Sequence, residues 1–269
     1  LVRYCGLGDV YKRQVKEGTV GVFGPGAVYA SSGRFEIHIK GVGGHGAAPD
    51  WTHNPLGAMC AIYQGIHEIV AEHRSPFDSC TMTVGKMSAG DSANIIPETA
   101  IMQGTIRTFS KQVGERLRKD LVTLVEYVGK AKGVTAEVTF GTACPPLVVD
   151  SNVHKSFLCS MKEMFGDEAW DMRTAWGGAY SKSTSAEDFS YIAEKVPSGF
   201  GWIFLGDSRQ GRKWGCHNPK VQFNDAYLYR CSSDYTKAAM DWLLENAAAG
   251  TVSDCIRQAE ETLYEMAGN

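Results

Sequence analysis

No stretch of the 269 residues approaches the roughly 18 uninterrupted apolar residues that a membrane-spanning helix needs. An excess of one charge is also missing: 27 Lys and Arg stand against 30 Asp and Glu, a formal net charge of −3. That balance gives no basic footprint for nucleic acid or an anionic membrane surface. There is no Cys-x-x-C pair, and the eight cysteines (Cys5, Cys60, Cys80, Cys144, Cys159, Cys216, Cys231, Cys255) are widely scattered. In a chain of this length such usage reads as reduced thiols of a cytoplasmic protein, not a disulfide framework. Leu1–Gly8 lacks the sustained apolar core of a secretory signal. Internal repeats are absent as well. What is present is ordinary: 43% hydrophobic, 21% charged and 10% aromatic residues, the composition of one or two globular domains.

The first fourteen residues do not fit the rest of the chain. Asp9–Gln14 reads Asp-Val-Tyr-Lys-Arg-Gln, which looks like the in-frame translation of a transposon adapter used in sequencing libraries, the alternative being a genuine flexible N-terminus. The expectation is that residues 1–14 are foreign, that the natural sequence begins near Val15, and that a longer upstream portion is missing.

From Arg34 to Phe140 the hydrophobic period switches between 2 and 3.6. Phe35, Ile37 and Ile39 alternate with polar residues, as in a half-buried strand, and a helical face (Met59, Ile62, Ile66, Ile69) comes after Pro55. Cys80–Lys86 and Thr99–Phe109 read as strands. Ser110 is placed to cap a helix carrying Val113, Leu117, Leu121 and Val125, and Val134–Phe140 alternates again. The predicted order β-α-β-β-α-β is the ferredoxin-like arrangement, one antiparallel sheet with both helices on one face. After Cys144-Pro145-Pro146 the pattern changes to helices over 152–165, 186–195 and 226–247, with a buried strand over 200–205. These resemble the closing part of an α/β domain. The resulting division is 1–14 foreign, 15–33 catalytic-domain remnant and hinge, 34–142 lid, 143–249 catalytic domain and 250–269 helical tail.

Several motifs carry chemistry. Gly41-Val42-Gly43-Gly44-His45-Gly46 matches the dinucleotide fingerprint, but Pro49, Pro55 and a polar loop stand where the helix facing a pyrophosphate would open. What remains is His45 in a glycine-lined turn, where a backbone or ligand can approach closely. His67-Glu68 begins like a zinc-binding H-E-x-x-H, yet the second ligand position is Ala71, and His73 lies about 240° around the helix. Asn94, in a connecting loop, can donate to a carbonyl or carboxylate, and Arg107 can hold a carboxylate in a bidentate fork. Alone, each is more often structural; with His45 they can form a polar cluster for an anionic substrate. His217 alone is a poor metal site, since zinc needs three or four protein ligands. Glu187 and Asp188 fall at a helix start, where acidic residues cap by default.

Taken in order, Gly43-Gly44-His45-Gly46-Ala47-Ala48-Pro49, Asn94-Ile95-Ile96-Pro97, Gly104-Thr105-Ile106-Arg107-Thr108-Phe109, Ala186-Glu187-Asp188-Phe189-Ser190 and His217-Asn218-Pro219 resemble one family. It is the aminoacylase, carboxypeptidase and amidohydrolase family of di-metal enzymes, in the branch of hippurate and auxin-conjugate hydrolases. The resemblance implies a zinc-peptidase-like α/β catalytic domain interrupted by a ferredoxin-like lid that mediates homodimerisation. It implies that His45 stabilises the oxyanion, commonly of the partner subunit's site. Asn94 and Arg107 then hold the substrate's carbonyl or carboxylate end, and His217 is the last metal ligand. Glu187 and Asp188 lie near the active site with no assigned role. The cofactors implied are two divalent cations, zinc or manganese, and the substrate an N-acyl amino acid or similar amide. The family's Cys-x-His-Asp motif and its Glu-Glu pair before the lid are not in this sequence; the only Glu-Glu is Glu260-Glu261. An inactive fragment is therefore expected, with a non-catalytic dimerisation or binding module as the alternative.

Overall fold

The computed structural model describes residues 2–4, 15–178, 181–206, 211, 212, 214 and 218–247. In chain order the first elements are β1 (Val2–Tyr4), β2 (Val20–Phe23), β3 (Gly26–Tyr29), β4 (Gly33–Lys40), β5 (Gly44–His45) and α1 (Pro55–Glu72). Next come β6 (Cys80–Ser88), β7 (Ile95–Ile96), β8 (Thr99–Thr108), α2 (Lys111–Lys132), β9 (Thr135–Phe140) and β10 (Leu147–Val149). The chain closes with α3 (Ser151–Phe165), β11 (Ala169–Asp171), α4 (Ser190–Ala193), β12 (Gly199–Ile203) and α5 (Tyr229–Ala247). They divide into two compact units. One comprises Ala27–Val148 and Lys182–Lys195; the other comprises Leu1–Gly26, Val149–Ser181 and Val196–Asn269.

In the first unit β4, β6, β8 and β9 form a sheet in the order β6-β8-β4-β9, with every neighbouring pair antiparallel. Phe35, Ile37 and Ile39 of β4 are buried while Arg34, His38 and Lys40 are exposed, so period 2 sorts the strand between core and solvent. The same core takes Ala58, Met59, Ile62, Ile66 and Ile69 from α1 and Val113, Leu117, Leu121 and Val125 from α2. Both helices thus cover one face of the sheet. Burying a side chain such as Leu121 contributes about 1.5–3 kcal/mol. The helix ends match the sequence signals. Asn54 Oδ1 accepts the Leu56 N–H ahead of Pro55, and the Ser110 side chain accepts the Val113 N–H. Gly133, at φ 68°, ends α2 in the left-handed region.

The unit that contains 34–142 also takes in a segment far along the chain. The Ser183 N–H donates to Val28 O (2.7 Å), Ala30 N–H donates to Ser183 O (3.0 Å), and Tyr191 Oη donates to Ala143 O (2.7 Å). The helix expected over 186–195 is only α4, four residues long. The reason is local competition: Ser183 Oγ takes the Ser185 N–H and the Glu187 carboxylate takes the Phe189 N–H, which turns the chain before a helix can form.

The second unit is built on a sheet ordered β1-β12-β2-β11. Strand β2 pairs in parallel with β11 and antiparallel with β12, and β1 pairs in parallel with β12. All four residues of β2 are buried, as for a strand covered on both faces. Val20 and Val22 join Phe157 and Met161 of α3 in one core, and Phe23 meets Phe200 and Trp202 edge-on. The strand expected over 200–205 spans Gly199–Ile203. The helix expected from Ala226 begins at Tyr229, because Asn224 caps a separate 3-10 turn, Asp225–Tyr227. The tail over 250–269 lies outside the described residues.

Candidate functional site

The glycine-rich segment folds back on itself. Val42 and His53 exchange two backbone hydrogen bonds of 3.0 Å, and Gly41 N–H donates to Glu98 O at 2.8 Å. Between them β5 pairs with β7, with His45 opposite Ile95, and Gly46 N–H donates to Asn94 O at 2.8 Å. The glycines are there for backbone approach. A Cβ on Gly43 would lie 2.9 Å from Ile96 O and 3.0 Å from Glu98 N, and one on Gly46 would lie 3.1 Å from Asn94 O. No helix opens at Gly46; a 3-10 turn at Pro49–Trp51 intervenes before α1. The geometry of a dinucleotide site is therefore absent here.

This fold leaves His45 exposed, with the Ala47 N–H donating to Nδ1 at 3.0 Å. The neutral imidazole consequently carries its proton on Nε2, which is a donor. Asn94 is exposed, and its Oδ1 accepts from Ser92 Oγ at 2.6 Å, which leaves the amide N–H groups to donate. The structure thus brings His45 and Asn94 together at one corner.

Arg107 sits elsewhere. It lies near the far end of β8, opposite Thr81, about 27 Å along the strand from Thr99 at an ordinary strand rise. Half-buried, it donates from Nη1 to Thr184 O at 3.3 Å. A few residues beyond Thr184, Glu187 is buried and its carboxylate accepts the Phe189 N–H, while its main-chain carbonyl accepts from Cys144 Sγ at 3.2 Å. Asp188 is exposed. The helix cap expected of this stretch does not form: α4 starts at Ser190 with Phe189 at its N-cap and no side-chain cap, and the Glu187 carboxylate serves the turn ahead of it. His217 and Cys216 lie outside the described residues. Among the described residues, no group of three or more His, Cys, Asp and Glu side chains could hold a metal ion. His67 is exposed and packs edge-on against Tyr63, and His73 faces Asp120 at 3.6 Å, so the zincin-like string is a solvated helix edge.

Two features escaped the reading of the sequence. Trp51, within a loop that reads as polar, is 82% exposed beside His45. His154 is buried on α3, where its Nδ1–H donates to Phe23 O at 3.0 Å. Burial pushes its pKa below the ordinary 6.5. On the outer face of the first unit's sheet, hydrogen bonds from Gln103 and His38 hold the Glu36 carboxyl below its usual range.

Residues 30–132 match the peptidase dimerisation domain of the M20 family. Across both units the chain is similar to IAA-amino acid hydrolase ILR1-like 2 of Arabidopsis thaliana, 29% identical over 85% of this chain and 51% of that protein. It is also similar to the N-acetyl-L-cysteine deacetylase of Bacillus subtilis, 27% identical over 90% of this chain and 55% of the relative. The chain therefore spans about half the length of the curated relatives it matches. In fold it resembles Bacillus subtilis YXEP, described as a dinuclear metal binding peptidase from the M20 family. The TM-score is 0.65 at 23% identity, over 91% of this chain and 56% of that one. No helix among the described residues is long and apolar enough to cross a membrane. The chain is thus homologous to the M20 amidohydrolases and peptidases, and it carries their dimerisation domain over residues 30–132.

Proposed function

We propose that this chain is the lid and the closing part of the catalytic domain of a metal-dependent amidohydrolase. Its substrate is an N-acyl amino acid, or a related amide ending in a carboxylate. The β-α-β-β-α-β unit is read as a ferredoxin-like lid through which two copies form a homodimer, in the cytoplasm. The names of the relatives, an amino acid conjugate hydrolase and an N-acetyl amino acid deacetylase, support the substrate class.

One observation carries the reading most. The Ala47 N–H occupies His45 Nδ1, so the ring presents Nε2–H outward from a rigid, glycine-packed corner. A donor fixed in advance at a developing oxyanion lowers the barrier without reorganising during reaction. Asn94, beside it, donates to the same carbonyl end. Arg107, at the other end of β8, is assigned to the carboxylate end, as in the expected pattern. His45 and Asn94 lie at the β5–β7 corner and Arg107 near the end of β8, an arrangement in keeping with His45 and Asn94 acting on the partner subunit's site. Glu187 and Asp188 stay near that site without a chemical role.

Two divalent ions, zinc or manganese, would supply the activated water in the whole enzyme. The described residues do not fit such a centre, since they include no cluster of three ligands. The sequence adds His217 but no Cys-x-His motif and no Glu-Glu pair before the lid. The 269 residues alone are accordingly assigned no hydrolytic activity. Reading the gene upstream tests this: a Cys-x-His and a Glu-Glu motif in frame before Val15 supports the enzyme. A start codon near Leu1 supports the dimerisation or binding module instead.

A further inference from the structure

Large apolar side chains exposed to water stand on the backbone of the same corner as His45. Val42 is 48% exposed, Ile95 56% and Trp51 82%. Their backbone positions are tied to the histidine. Ile95 is its direct cross-strand partner, so the two side chains leave the same face of the β5–β7 ribbon. Ala48 N–H donates to His45 O at 2.9 Å, and Trp51 N–H donates to Ala48 O at 3.3 Å, which hangs the 3-10 turn from the histidine itself. The Val42–His53 pair closes the loop behind them. An indole held almost wholly in solvent loses favourable burial and does nothing for the core below it. A wall of apolar groups around a few fixed polar donors is instead the usual make-up of a small-molecule site.

Charge says which part of a substrate faces this wall. Asp50 is exposed next to Trp51, and Lys40 is engaged with Glu98 at 3.7 Å. The corner therefore repels a carboxylate and accepts an uncharged group. We propose that Trp51, flanked by Val42 and Ile95, is a specificity-determining residue that receives an aromatic or bulky apolar acyl group while His45 addresses the adjoining carbonyl. This rests on the reading of His45 as a substrate-facing donor. The apolar wall adds a second effect, since excluding water from the corner strengthens the Nε2–H donor.

The test uses the isotopically labelled 269-residue chain, titrated to high millimolar concentration with N-phenylacetylglycine and, separately, N-acetylglycine. NMR tracks the Trp51 indole N–H and the His45 imidazole, the former assigned by its loss in Trp51→Leu. The inference expects the phenylacetyl compound to bind more tightly by on the order of fivefold, the size of an aromatic pair contact. It expects shifts at both residues, and Trp51→Ala to abolish the difference while the His45 shifts persist. Equal affinities with Trp51 unmoved would overturn the inference and leave the proposed function standing. Silence at His45 with both compounds would overturn this inference, while the proposed function is decided separately by the upstream reading frame. Trp51 shifts that depend on protein concentration and not on ligand would assign the indole to a contact between copies of the chain, and would also overturn it.

Discussion

Replacing Gly41 by alanine should loosen the corner that holds His45 while sparing the core beneath it. A Cβ at this position runs into the His53 carbonyl oxygen, a backbone atom that can move only if the Val42–His53 pair opens. Opening it gives up two backbone hydrogen bonds of 3.0 Å and strains the Gly41 N–H bond to Glu98 O. At about 1 kcal/mol net per bond the loss is about 2–3 kcal/mol. The stiffer unfolded chain of the alanine variant offsets roughly 0.4–1 kcal/mol of that. A net destabilisation of about 2 kcal/mol remains, or about 6 °C in the unfolding midpoint of a unit this size. The paired control is Gly57→Ala, the same chemical change in the first turn of α1, where nothing lies within 4 Å of the new Cβ. It should stabilise by up to about 0.5–1 kcal/mol. Thermal unfolding gives the signs, and amide hydrogen exchange at Val42 and His53 gives the location. If Gly41→Ala melts with the parent and both amides keep their protection, the glycine is not what lets these backbones meet.

Other expectations rest on the same structure. Leu121, fully buried between α2 and the sheet, should cost about 2–5 kcal/mol when cut to alanine, read from denaturant unfolding. Ser110→Ala removes the cap of α2 and should cost about 1 kcal/mol, with Ser110→Asp restoring most of it. His154 titrates below its ordinary 6.5 because burial disfavours its charged form. The unfolded chain then binds the proton that the folded chain refuses. The stability from this site is present above about 6.5 and is lost as pH falls through the lowered folded value. His154→Gln should flatten the pH dependence of unfolding in that window; an unchanged slope would assign it to other groups.

The regular parts of this molecule are legible in its sequence because their signals are periodic. Phe35, Ile37 and Ile39 announce a strand, Ile62, Ile66 and Ile69 a helix face, and Ser110 a cap. The corner around His45 has no such signal. Strands β5 and β7 are two residues each, too short for any period, and they exist because the glycines let backbones meet. The return of Lys182–Lys195 to the first unit is equally silent, since it depends on partners such as Val28 and Ala143 far away in the chain. Trp51 hides within the polar string Asp50–Asn54, and its exposure becomes visible only once Pro49–Trp51 turns. Ordered motifs pointed to the family where local propensity could not, because a motif is read from side-chain type and order along the chain and not from periodicity.

The sharpest check on the role of His45 is the kinetics of a His45→Ala variant of the full reading-frame product, assayed on an N-acyl amino acid with divalent metal supplied. If His45 Nε2–H meets the oxyanion, kcat falls on the order of 10²–10³-fold while KM changes little. A variant that keeps the parent's kcat would show that the ring takes no part in stabilising the oxyanion.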